Sequence, residues 1–260
     1  MTYQNLQFTQ TDNILTVTVT RPKALNALNA QTISELHHFF GTELPERNDL
    51  RGVILTGAGE KSFVAGADIK EFLQVEGDQG KELSQRGQEA FFFIERAKVP
   101  VLALVNGFAL GGGCELAMAC HLRIATPNAK FGQPEVNLGI IAGYGGTQRL
   151  VQYIGRTKAT ELLLTGDMIG AEEALSLGLV NYVLPAEEAT ERAHKLLGKI
   201  ATKGPVAVAK TIAAINAYFQ DGTDGFDFEV NAFGDVTQTG DFREGAQAFV
   251  EKRRANFTGK

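Results

Sequence analysis

The sequence predicts an α/β fold followed by a helical C-terminal part, and three observations carry that expectation. Short apolar, β-branched runs alternate with segments of helical spacing over residues 1–185, the pattern left by parallel strands joined through crossover helices. Beyond residue 185 the strand-like runs cease and only helical segments follow, punctuated by Gly, Pro and Asp. The composition, 44% apolar and 21% charged over 260 residues, is that of an ordinary globular chain. A chain of that length buries roughly three-quarters of its unfolded surface, so it forms a core without disulfide or metal staples. Two regions are expected, a core over 1–185 and a helical region over 186–260.

In chain order, Leu6 to Thr9 and Ile14 to Thr20 read as a hairpin broken at Thr11-Asp12-Asn13. Ile33, Leu36, Phe40 and Leu44 keep helical spacing until Pro45. Gly52 to Thr56 is a buried strand entering a Gly-rich loop, and Val101 to Val105 repeats the event ahead of Gly111-Gly112-Gly113 and a helix over Cys114 to Cys120. Leu122 to Ala125 and Leu179 to Val183 add short strands, with helices at Lys81 to Arg96, Thr147 to Ile154 and Lys158 to Leu164. The final helices are expected at Glu187 to Thr202, Val206 to Gln220, Phe226 to Val236 and Asp241 to Arg254.

Charge and cysteine usage narrow the function classes. With 25 basic and 30 acidic residues the formal net charge is -5, which argues against nucleic acid and anionic membrane as partners. Lys252, Arg253 and Arg254 form the one tight basic cluster, read as a solvated helix end. Cys114 and Cys120 lie six positions apart on a helix, about 9 Å along its axis and beyond the roughly 7 Å that a disulfide spans. Unpaired thiols point to a reducing compartment, and Met1 to Gln10 lack a signal-peptide layout, so a cytoplasmic location is expected. His37, His38, His121 and His194 offer no metal-ligand spacing.

The sequence has no G-x-S-x-G elbow and no phosphate-binding G-x-x-x-x-G-K-[ST] loop. What remains is two strand-to-helix junctions built of small residues, Ala65-Gly66-Ala67-Asp68 and Gly111-Gly112-Gly113. Helix starts expose unpaired N–H groups, and two such junctions on neighbouring strands can aim two donors at one oxygen. The same glycines also suit tight turns and close packing, and the residues alone leave both readings open. Glu115 stands in the first turn of the second helix, and Glu135 precedes the Gly-rich stretch Gly139 to Gly146. Two carboxyls on separate elements can flank a substrate as acid and base. A glutamate early in a helix is also an ordinary capping choice.

Five strings in order then carry a resemblance: Arg21-Pro22 with Ala24 to Asn29, Phe63 to Phe72, Asn106 to Ala119, Phe131 to Glu135 with Leu138 to Ile140, and Gly143 to Leu150. Together with Asp241 to Phe257 they resemble the enoyl-CoA hydratase, or crotonase, family across essentially the whole chain. The resemblance implies a crotonase-like right-handed spiral of ββα turns whose C-terminal helices serve oligomerisation, with trimers stacking into a hexamer. It implies an oxyanion hole at the N–H groups of Ala67 and Gly112, where an acyl-thioester carbonyl becomes enolate-like. Glu115 and Glu135 would hold the water, Glu135 delivering a proton to the α carbon and Glu115 deprotonating the water that adds to the β carbon in a syn sense. Coenzyme A contacts would come from Lys23, Ala24 and Leu25, from Ala65, Asp68, Ile69 and Lys70, and from Gly143, with Lys252 or Lys260 assisting from a neighbouring subunit.

The implied activity is reversible hydration of a 2-trans-enoyl-CoA to a 3-hydroxyacyl-CoA without metal or redox cofactor, coenzyme A being part of the substrate. Double-bond isomerisation needs one carboxyl and the same donors, and having both Glu115 and Glu135 favours hydration. An RNA-binding homologue would need a basic stripe that the charge balance does not supply. Gln74 through Gln88, with Phe91, Phe226 and Phe228, are candidates for the acyl-pocket border, although aromatic residues at such spacing are more often core. Two departures stand out: Ala142 where proline is usual, which would loosen the loop beside Glu135, and His121 where aspartate is frequent.

Overall fold

The computed structural model describes residues 1–73 and 75–260. Its centre is a six-stranded sheet built from β1 (Leu6–Thr11), β2 (Ile14–Val19), β3 (Gly52–Gly57), β5 (Val101–Val105), β7 (Leu122–Ala125) and β10 (Tyr182–Val183), in that spatial order. Only β1 and β2 are antiparallel; β2 through β10 run parallel, with Leu55 opposite Ala103 and Leu104 opposite Ile124. Period-two alternation divides these apolar runs between two faces. Val53, Leu55, Val101, Ala103 and Val105 enter the main core, whereas Ile54, Leu102, Leu104 and Ile124 face the helix α7 (Ala186–Ala201) through Ala189, Ala193 and Leu197. The helix that opens the C-terminal region thus covers the outer face of the sheet. Each fully buried Leu or Ile in that seam contributes about 1.5–3 kcal/mol of transfer free energy.

A second sheet of four very short strands, β4 (Ser62–Val64), β6 (Phe108–Leu110), β8 (Lys130–Gly132) and β9 (Met168–Gly170), lies beside the first. The chain alternates between the sheets: β3 then β4, β5 then β6, β7 then β8, each pair followed by helical structure. These are the ββα turns that the resemblance implied. Periodicity alone did not reveal the second sheet, because three residues are too few to display an alternation.

The helices are α1 (Ala30–His38), α2 (Ile69–Phe72), α3 (Gln79–Glu95), α4 (Gly112–Ala119), α5 (Gly146–Thr165), α6 (Ala171–Ser176), then α7, α8 (Pro205–Ala217), α9 (Gly225–Thr237) and α10 (Gly240–Val250). The two helices expected at Thr147 to Ile154 and Lys158 to Leu164 form one element that bends at Gly155, whose φ of 74° and ψ of 161° break the helical path. Leu179 to Val183 is strand only at its last two residues, and α10 ends at Val250 rather than Arg254. Pro45 does not end a regular α-helix; α1 ends at His38, continues as a wider turn over Phe39–Glu43, and Pro45 sits in a 3-10 turn. Both cysteines are free and buried. Among the described residues no helix is long and apolar enough to cross a membrane, and no group of three or more His, Cys, Asp or Glu gathers as a metal site.

Candidate functional site

A cavity of about 1520 Å³ opens where β4, β6, α3, α4 and the loop before α5 converge, and Ala65, Ala67, Ile69, Gly112, Glu115, Glu135 and Gly143 all line it. Two of the linings are backbone donors. Leu28 pairs with Ala67 as an isolated parallel bridge, its N–H donating to the Gly66 carbonyl at 2.8 Å and its carbonyl accepting from the Asp68 N–H at 2.7 Å. That pattern turns the Ala67 N–H to the opposite side, where it donates to no protein acceptor among the described residues. Gly112 is the first residue of α4, so its N–H has no partner within the helix. Glycine is required beside it: a Cβ on Gly113 would lie 1.8 Å from the Val64 carbonyl oxygen, so only glycine lets α4 sit against β4. Gly111, at φ +49°, leaves the space that the Glu135 carboxylate occupies, 2.6 Å from where a Cβ would stand.

Glu115 is 1% exposed, and its Oε1 accepts from the Tyr144 N–H at 2.8 Å and the Gly146 N–H at 2.7 Å. Burial, and then the nearby Glu135 charge, push its pKa up to about 7 against the pull of those two donors. Burial also raises the Glu135 carboxyl. The amide of buried Gln133 is assigned from its surroundings: with its nitrogen towards Glu135 it donates to Oε2 at 3.2 Å and Oε1 at 3.1 Å, whereas the opposite orientation sets oxygen against oxygen. One oxygen of Glu115 is held by backbone and Glu135 is held by an amide, so the pair is fixed with lone pairs to spare for a ligand.

The loop that supplies the donors to Glu115 is tied on every side. Ser84 Oγ and Gln88 Nε2 of α3 donate to the Gly143 carbonyl at 2.6 and 3.0 Å, and Arg149 Nη1 donates to the Tyr144 carbonyl at 2.8 Å. Arg149 is itself held by Glu95, its Nη2 lying 2.6 Å from Oε2. These bonds constrain the loop that Ala142, standing in place of proline, was expected to loosen. His121, the other departure, is a buried structural residue whose Nδ1 accepts from the Val101 N–H at 2.8 Å while its Nε2 faces the Glu95 carbonyl at 3.1 Å. Burial drops its pKa to about 4, so it is neutral.

Lys23, Ala24, Leu25, Asp68 and Lys70 do not line the cavity. The turn holding Lys23 to Leu25 adjoins its rim, where the Leu25 carbonyl accepts from the Ala65 N–H at 3.1 Å, and Lys23, Leu25 and Lys70 are exposed. Asp68 is committed elsewhere, paired with Arg21 at 2.9 Å and capping α2 through the Lys70 N–H. Lys252 and Lys260 lie exposed at the C-terminus. Of the expected aromatic border, Phe91 is fully buried core, Phe226 is 85% exposed and Phe228 is half-buried, and none lines the cavity. Phe72, Phe92, Tyr144 and Phe219 line it instead. Leu83, Ser84 and Gln88 of the stretch Gln74 to Gln88 do border it, and Gln74 lies outside the described residues. Tyr144 and Gln133 escaped the sequence reading because their partners are distant in the chain, although both stand within the strings that carry the resemblance.

A family model described as enoyl-CoA hydratase/isomerase matches residues 9–260. The chain is 46% identical to a crotonyl-CoA hydratase of Syntrophomonas wolfei over 100% of both chains. It is also 46% identical to a short-chain-enoyl-CoA hydratase of Clostridium acetobutylicum, over 98% of this chain and 97% of the other. Among solved structures it matches an enoyl-CoA hydratase from Bacillus anthracis with a TM-score of 0.93 and 40% identity, covering 99% of this chain and 100% of that one.

Proposed function

The chain belongs to the enoyl-CoA hydratase/isomerase family, and on that premise we propose that it adds water reversibly to the double bond of a 2-trans-enoyl-CoA, giving a 3-hydroxyacyl-CoA. The observation that carries the reading is that Glu115 and Glu135 line one cavity together with Ala67 and Gly112, whose N–H groups are unpaired. The two N–H groups form an oxyanion hole for the thioester oxygen, which gains charge as the β carbon is attacked. Ionised Glu115 takes a proton from water as its oxygen bonds to the β carbon. Protonated Glu135 then supplies the proton that the α carbon gains, and return of the proton from Glu115 to Glu135, through solvent in the cavity, restores the starting state, so one water is added on one face with no net consumption of acid.

This reading calls for no metal or redox cofactor, because coenzyme A arrives with the substrate. Two buried free thiols support a reducing, cytoplasmic setting. The exposed apolar faces of α9 and α10 support a homo-oligomer, a hexamer made as a dimer of trimers. Names of the relatives favour short acyl chains such as crotonyl.

The test is substitution of each carboxylate. Glu115→Gln and Glu135→Gln keep shape and much of the hydrogen bonding, and each is expected to lower hydration of crotonyl-CoA by about 10²–10⁴-fold, read as loss of the conjugated thioester absorbance. The double variant is expected to lose far less than the product of the two, because both groups hold one water. An isomerase would instead tolerate Glu115→Gln and incorporate no oxygen from labelled water, and that outcome would replace the hydratase reading.

A further inference from the structure

The mechanism leaves unused the ion pair between Arg21 and Asp68, which sits directly behind one of the two donors. Arg21 Nη2 lies 2.9 Å from Asp68 Oδ2, and its Nη1 donates to the Ala27 carbonyl. In a trans peptide the carbonyl and the following N–H point in opposite directions along one rigid plane. The Ala27 carbonyl therefore shares its plane with the Leu28 N–H, which donates to the Gly66 carbonyl at 2.8 Å. The Gly66 carbonyl in turn shares its plane with the Ala67 N–H. A guanidinium, two peptide groups in series and the cavity thus lie on one line of hydrogen bonds.

Backbone bonds from the Ala65 N–H to the Leu25 carbonyl and from the Asp68 N–H to the Leu28 carbonyl hold the segment on either side, and the bond at the Gly66 carbonyl sets the plane between them. Gly66, at φ +102°, has no side chain to restrict rotation there, so the Leu28 N–H on its carbonyl contributes to holding the Gly66–Ala67 peptide in place. The relay is itself well anchored. Arg21 and Asn26 exchange bonds, with the Arg21 N–H on Asn26 Oδ1 at 3.0 Å and the Asn26 N–H on the Arg21 carbonyl at 2.9 Å. Buried Asn26 donates to the carbonyls of Ala58 and Ser62 at 3.0 and 2.9 Å. Asp68 restrains the other fork of the guanidinium, and Arg21 holds the Asp68 carboxyl below its ordinary range.

Resting on the hydratase reading, we propose that Arg21 is a positioning residue for the reaction, acting through the Ala27–Leu28 and Gly66–Ala67 peptides to aim and polarise the Ala67 N–H. A cation at the head of a hydrogen-bonded chain strengthens each bond along it. The effect falls on the transition state, whose oxygen carries more charge than the ground-state carbonyl. Asp68 contributes by keeping the guanidinium in place, which is a different role from contacting coenzyme A.

The test uses Arg21→Met, Arg21→Lys and Asp68→Asn in the assembled protein, the last retaining a residue able to cap α2. Two readouts are compared: kcat against KM for crotonyl-CoA, and the red shift in absorbance of a conjugated aromatic enoyl-CoA on binding, which reports polarisation of the thioester carbonyl. Arg21→Met is expected to lower kcat about tenfold, short of the 10²–10³ seen when a donor is lost outright, with KM little changed and a smaller red shift. Arg21→Lys is expected to recover part of both, and Asp68→Asn to lose part of both, so the proposal stays testable if the methionine variant does not fold. Loss of kcat with an undiminished red shift, or full turnover in Arg21→Met, overturns the proposal. A wild-type protein that gives no red shift overturns the donor assignment of Ala67 and Gly112 as well, which separates the two failures.

Discussion

Glu115 shows most clearly what a single residue costs and supplies. Its carboxyl titrates near 7 because burial and the Glu135 charge both disfavour the anion. Burial raises Glu135 too, and its charge acts on Glu115, so the two titrate as a coupled pair with macroscopic pKa values that belong to both. The proposed mechanism needs one of them ionised and the other protonated. The kcat/KM profile is therefore expected to be bell-shaped, falling at low pH as the pair takes a second proton and at high pH, above about 7, as it loses the first. A profile that rises to a plateau and stays flat to pH 9 would contradict the proposed roles of this coupled pair. The same shift has a stability consequence. A carboxyl whose folded pKa exceeds its unfolded value makes a favourable contribution when protonated, present in full below the unfolded value near 4.5 and lost as pH rises through the folded value near 7. Glu115→Gln removes that loss, so it is expected to melt several degrees above the wild type at pH 8 and to lose this advantage towards pH 4.5. Equal melting temperatures at pH 8 would show that the buried carboxylate costs the fold nothing. At this scale the sequence exposed Glu115 and Glu135 through their neighbours, a Gly-rich helix start and a Gln-Pro-Glu turn. It could not expose what tunes them, because the Tyr144 and Gly146 donors lie 29 and 31 residues from Glu115.

Elements were readable in proportion to the number of residues that share one environment. β3 and β5 are apolar on both sides because the core fills one face and α7 the other, so each stands out as a continuous run. β4, β6 and β8 have three residues each and no pattern of their own, yet they carry the turns from which Ala67, Gly112 and Glu135 project. The resemblance supplied what their periodicity could not. The glycines at the start of α4 are where element packing and site geometry meet, and they allow a contrast. Gly113→Ala would drive a methyl to 1.8 Å from the Val64 carbonyl, forcing α4 away from β4 and moving the Gly112 N–H with it. It is expected to cost several kcal/mol, as overpacking against rigid backbone does, and to abolish hydration. Gly198 lies inside α7 with nothing within 4 Å of its Cβ position. Gly198→Ala is expected to stabilise by about 0.5–1 kcal/mol through helix propensity, with turnover unchanged. A thermal melt of both variants checks the pair, and a Gly113→Ala protein as stable as wild type would mean that the α4–β4 contact is not tight.

For the molecule as a whole, the spiral core and the C-terminal helices obey different rules of burial. In the core the apolar residues are inside. On α9, Phe226, Val230 and Phe233 stand 85%, 71% and 69% exposed at i, i+4 and i+7, which places them on one face, while Ala232 is the buried residue of that helix. On α10, Phe249 and Val250 are 86% and 80% exposed. An amphipathic helix that turns its aromatic face to water in the monomer is unfinished, because each such side chain forgoes about 1.5–3 kcal/mol available on burial, and contiguous exposure of this kind marks an interface. Copies of the same chain are the simplest cover, since a symmetric ring repeats one contact without leaving an open edge. Light scattering is expected to report close to six times 28.0 kDa at low micromolar concentration. Introducing charge on that face, as Val230→Glu with Phe233→Glu, is expected to shift the species to smaller mass while the core, which neither residue enters, stays folded by circular dichroism. A wild-type particle of 28.0 kDa would sink the assembly, and an unchanged mass in the double variant would move the interface to another face. The site depends on this outcome through α8: Asn216 of α8 lines the cavity, and its Nδ2 donates to the Glu95 carbonyl at 2.7 Å, at the end of the helix whose Glu95 side chain holds Arg149. Dissociation is therefore expected to lower turnover as well as mass, because freeing the C-terminal helices loosens the far wall of the cavity that Glu115 and Glu135 line.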